Sequence, residues 1–105
     1  MLATRHGRWF AERASGKLFL RTNSTFALHQ AAVAGLGIAL LPCFVGDPEP
    51  ALIRVAGPTE LPASDLWLVL HADLRRVRRV RAVARFVETV IERSAALLAG
   101  AAREP

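Results

Sequence analysis

The sequence predicts an α/β fold with a βαβ unit, a mostly parallel sheet and a C-terminal amphipathic helix. Three observations carry that expectation. Four short apolar runs, at 17–21, 37–41, 52–55 and 66–70, are each bounded by turn or cap residues, the pattern of strands covered on both faces. A helix-length segment with its own start and stop signals lies between the first two. After the fourth run, apolar side chains recur at three- and four-residue intervals, the period of a helix that lays one face on a core.

Taken in order, residues 1–16 read as a short helix, with Trp9, Phe10 and Arg13 about one turn apart and Gly16 placed to end it. Leu18, Phe19 and Leu20 make the first strand. The cap-type residues Thr22, Asn23, Ser24 and Thr25 follow, with Ser24 or Thr25 at the N-cap of a helix of about ten residues. Gly35 sits where a left-handed C-cap is wanted. The run ending at Pro42 is the second strand, so strand, helix and strand form a βαβ unit with a right-handed crossover. Asp47, Pro48, Glu49 and Pro50 mark a loop before a third strand at 52–55, and Pro58 and Pro62 mark another before the fourth. Val77, Val80, Val83, Val87, Val90, Ile91 and Leu98 then share one face of a helix near 75–98, with Asp73 as its cap and Arg78, Arg81, Arg85, Glu88 and Glu92 opposite.

Composition narrows the classes. A chain of 105 residues, 52% hydrophobic and 22% charged, is one domain with a modest core, not a disordered tail. The single cysteine, Cys43, excludes an internal disulfide and a thiolate metal cluster. Residues 22–46 carry no acid, lysine or arginine, a stretch long enough to suggest a membrane span. His29, Gln30, Gly35, Gly37 and Pro42 interrupt it, so no span is expected. Arg5, Arg8, Glu12 and Arg13 leave no apolar signal region at the start, and the expected address is cytoplasmic.

Two places invite chemistry. At Thr22, Asn23, Ser24 and Thr25 a strand hands over to a helix, so free backbone N–H groups, the positive end of the helix dipole and several hydroxyls converge, an arrangement that takes small anions. Ser24 also has the plainer role of capping its own helix. Pro42, Cys43 and Phe44 follow the second strand and should emerge at the carboxyl end of the sheet, where open α/β sheets bind ligands. A nucleophilic Cys43 would need His29 or His71 as base, and spacing brings neither to it; a half-buried hydrophobe is the better reading. No metal-ligand spacing is present. The net charge of +5 resides largely in Arg75, Arg76, Arg78, Arg79, Arg81 and Arg85. These fill the polar side of an amphipathic helix, without the interleaved aromatics or helix-turn-helix pattern that would point to nucleic acid.

The order of the motifs then matters more than any one of them. The stretch LRTNSTFALHQAAVAGLGIALLPCFVGDPEPALIRV, followed by LWLVLHADLRRVRRVRAVARFV, resembles the carboxyl-terminal part of the effector-binding domain of LysR-type transcriptional regulators. Residues 32–42 are the diagnostic piece, and the likeness runs from about Trp9 to about Val90. It implies a partial periplasmic-binding-protein-like fold of type 2. Residues of about 8–56 resemble the later part of the second lobe, and 66–98 the return into the first. The family's pocket corresponds here to Thr22, Asn23, Ser24, Thr25, Pro42 and Phe44. The resemblance implies a small anionic or polar effector, no catalysis and no cofactor, homo-oligomers in the full-length protein, and DNA contact only through an N-terminal helix-turn-helix absent from these residues. Alternatives are a solute-binding module of the same fold or a small Arg-rich nucleic-acid-binding protein. An isolated half-domain of this kind should expose its apolar face and be marginal or aggregation-prone.

Overall fold

Ser24 begins the best-defined helix of the computed structural model, which describes residues 5–13 and 16–101. Its backbone is extended (φ −96°, ψ 113°) and its Oγ accepts from the N–H of Ala27, so one orphan donor of the first turn is satisfied as an N-cap requires. The helix is α2, Thr25–Val33, preceded by α1, Arg5–Arg13. Gly35 has φ +80°, its N–H donates to the carbonyl of Ala32, and the N–H of Leu36 donates to that of Ala31. That pair of bonds is a Schellman closure, and the positive φ is why glycine stands there. Gly16 lacks that geometry, so it is not the left-handed cap of α1 that its position suggests.

No strand forms among the described residues, which corrects the expected α/β fold, its βαβ unit and its mostly parallel sheet. The apolar runs at 17–21, 37–41, 52–55 and 66–70 are non-helical and unladdered. Leu18, Phe19, Ile38, Ile53, Trp67 and Val69 are all exposed. The physical reason is that a strand is stabilised by cross-strand neighbours and by cover on its faces, neither of which its own residues supply. Runs apolar on both faces need layers above and below. The described helices are too few and too short to provide them.

Pro42 instead leads into a single helical turn, α3, Cys43–Gly46, and Pro58–Glu60 forms a 3-10 turn in which Glu60 accepts from the N–H of Gly57. A second 3-10 turn, Ala72–Leu74, contains Asp73, whose N–H donates to Nδ1 of His71. Asp73 is therefore inside a turn of its own and does not cap the last long helix. That helix, α4, runs Arg78–Arg93 from Val77, which offers no side-chain cap. It breaks at Ser94 into α5, Ala95–Leu98, so the amphipathic segment is two helices where its periodicity suggests one.

The closest packing is where α5 meets α3 and α4. Gly100 (φ +75°) is buried there, and a methyl group on it would lie 2.9 Å from Cys43 Sγ and from Pro58 Cγ. Among the described residues no apolar side chain beyond glycine is fully buried. The radius of gyration is 16.7 Å, against about 13 Å for a compact chain of this length.

Candidate functional site

The loop before α2 is built by its own side chains. Thr22 Oγ1 accepts from the N–H of Ser24 at 3.1 Å, and Ser24 Oγ accepts from Ala27 at 3.2 Å. Thr22 and Thr25 are half-buried, Asn23 and Ser24 exposed. Among the described residues no protein acceptor meets the N–H groups of Thr25 and Phe26, the first two of α2. Two donors at the positive end of a nine-residue helix, ringed by hydroxyls and an amide, form a surface suited to a carboxylate or similar anion.

Pro42 and Phe44, the other expected site residues, lie at the start of α3, both exposed. No hydrogen bond or ion pair among the described residues joins them to 22–25. What connects the two regions is His29 on α2, whose Nε2 lies 3.6 Å from Glu49 Oε2 in the loop after α3. Glu49 Oε1 in turn accepts from the N–H of Ala51, so one carboxylate braces its own turn and holds α2. His29 is thus engaged with Glu49 and Gln30, and not with Cys43. The His71 Nδ1 bond to Asp73 likewise leaves Cys43 without a base from that side.

A second polar link was not legible in the sequence. Arg54 Nη2 donates to Asp47 Oδ2 at 2.6 Å and to the carbonyl of Gly100 at 3.0 Å, joining the loop after α3 to the end of α5. The hydrogen bond to Asp47 raises the Arg54 pKa; desolvation works against this, and the charges of Asp47 and of a Cys43 thiolate add to it. The only available signal was that Asp47 and Arg54 stand among the first charges after the uncharged stretch 22–46. At the other end of the chain His6 donates from Nε2 to the carbonyl of Pro62 at 2.6 Å, tying α1 to the loop ahead of residues 66–70. No group of three metal-ligating side chains occurs among the described residues.

A different concavity, of about 330 Å³, lies between residues 68–70 and α4 and is lined by Leu68, Leu70, Arg79, Val80, Val83, Ala84 and Val87. With one cation and otherwise aliphatic walls, it offers too few polar groups to orient a small ligand.

The description LysR substrate binding domain belongs to the family model that matches residues 5–92, most of the chain. The chain belongs to that family. No curated protein and no solved structure matches it. Membership in the LysR substrate-binding family implies a type 2 periplasmic-binding-protein-like architecture, which the strandless described residues do not adopt. Both regions of the candidate site fall inside the match, as do His29, Glu49 and Arg54. No described helix is long and apolar enough to cross a membrane.

Proposed function

We propose that this chain is the effector-sensing part of a LysR-type transcriptional regulator, acting without catalysis and without a cofactor. The observation that carries the reading is the family match over residues 5–92. An anionic or polar small molecule is taken at Thr22, Asn23, Ser24 and Thr25, with Pro42 and Phe44 as the apolar side of the pocket. The free N–H groups of Thr25 and Phe26 at the positive end of α2 support an anion at that point. In this reading 8–56 serve as the later part of one lobe and 66–98 as the return into the other. Contact with DNA is assigned to a helix-turn-helix outside these 105 residues, in a cytoplasmic homo-oligomeric regulator. The effector acts by favouring one arrangement of the lobes over another, a population shift set by its differential affinity.

The test is a calorimetric screen of small organic acids, sugar phosphates and neutral analogues against the chain and against Thr22→Val, Asn23→Ala and Ser24→Gly. Glycine at the N-cap costs only a few tenths of a kcal/mol, so Ser24→Gly removes the hydroxyl and leaves α2 in place. Expected is an organic acid whose affinity falls about tenfold in each variant, the usual size of one lost charge-assisted hydrogen bond. Equal binding by all three variants places the effector elsewhere.

A further inference from the structure

The chain exposes 8615 Å², whereas a folded monomer of its 11.4 kDa exposes roughly 5,800 Å². The excess, roughly 2,800 Å² by that scaling, is about what one partner of a large obligate dimer buries. It is concentrated in the apolar runs, and residues 65–71 are the most developed of them. Leu61 (φ −107°, ψ 147°) and His71 (φ −63°, ψ 135°) bracket this segment with extended backbone. Between them exposure alternates as in a strand: Leu66 69%, Trp67 78%, Leu68 46%, Val69 83%, Leu70 40%. The even-numbered face leans on Val80 and Val83 of α4. Among the described residues no backbone hydrogen bond engages 66–70, so the N–H and C=O groups of both edges are open to pairing.

We propose that this segment pairs with itself in a second copy of the chain, antiparallel, about a twofold axis at Leu68. That register sets Leu66 opposite the partner's Leu70 and Trp67 opposite the partner's Val69, apolar against apolar on both faces. Asp65 comes opposite the partner's His71, at both ends by symmetry. His71 is prepared for this: its Nδ1 accepts from the N–H of Asp73 at 3.1 Å, which fixes the proton on Nε2, and Nε2–H can donate to a carboxylate without the ring being charged. Parallel in-register pairing would instead place Asp65 against the partner's Asp65, a like-charge contact that costs stability. An isologous pair closes at two copies and does not propagate. The second copy, rather than an unrelated strand, is selected because the segment's charges complement their own reverse.

The experiment is sedimentation velocity on the 105-residue chain over a hundredfold range of concentration, with three variants. Asp65→Lys and His71→Asp should each weaken the dimer by about tenfold, since each replaces two attractive cross-strand contacts by repulsive ones. Combining Asp65→Lys with His71→Asp should restore it to within a few-fold. Both residues are exposed, so neither change threatens the fold. In a Cys43→Ser background, Leu68→Cys should cross-link between copies on oxidation, and Ile53→Cys, equally exposed, should not. A chain that stays monomeric overturns the proposal, as does a dimer indifferent to the charge variants or one in which the double variant shows no recovery.

Discussion

At Gly100 two demands meet that only glycine satisfies: a φ of +75° and a methyl-sized gap already occupied by Cys43 Sγ and Pro58. Gly100→Ala should therefore destabilise the chain by roughly 1–3 kcal/mol, combining left-handed strain with overpacking. Gly16→Ala, with open space around it and no positive φ, should be neutral or slightly stabilising. Thermal melts of the two variants check this, and equal melting would mean that the junction of α3 and α5 is not packed as described. The partner of that junction is Arg54, whose guanidinium holds Asp47 and the Gly100 carbonyl together. Its pKa is raised by the Asp47 hydrogen bond. For a base with a raised folded-state pKa, the contribution is fully present below the unfolded value and is lost only as pH rises through the folded one. For arginine that window is strongly alkaline, so this link should be insensitive to titration of Arg54 across the neutral range. Arg54→Met should release α5, read as faster amide exchange over residues 95–100 with α2 unchanged. None of this was legible in the sequence, because Arg54 and Gly100 lie 46 residues apart and no local pattern encodes their meeting.

The helices were more legible than the strands because their signals are local. Ser24, Gly35 and the valine period of α4 each act over three or four residues, and each holds in the structure, with Asp73 and Gly16 the misread caps. The N-cap gives a direct test: Ser24→Ala should lower stability by about 1 kcal/mol and Ser24→Gly by a few tenths, with the loss confined to α2 in an amide-exchange profile. Equal effects of the two would mean that Ser24 Oγ is not the acceptor for Ala27. The four apolar runs carry a different kind of signal. Composition says that each wants cover on two faces, and it says nothing about where the cover comes from. The loop 22–25 was legible for the same reason as its helix, since cap residues and anion-binding residues coincide at a helix start. Its relation to Pro42 and Phe44 depends on non-local packing, and here the observed link is His29 to Glu49, a pair that carries no sequence motif.

At the scale of the molecule, the surface and the radius of gyration describe a chain that has formed its helices without assembling a core. Heat capacity reports that condition directly, because the increment on unfolding follows the apolar surface newly exposed. A compact domain of about 100 residues gives roughly 1.2–1.5 kcal/mol/K. This chain, with Leu18, Phe19, Trp67 and Val69 already exposed before unfolding, should give less than half of that when dilute, in a broad melt whose urea dependence is correspondingly shallow. If residues 66–70 pair between copies, the melt should sharpen and move to higher temperature as concentration rises, because whatever binds only the folded form stabilises it by mass action. Asp65→Lys should abolish that concentration dependence and leave the dilute melt unchanged. A sharp, concentration-independent transition with a full heat-capacity increment would instead require a buried core, and with it the sheet that these residues do not form.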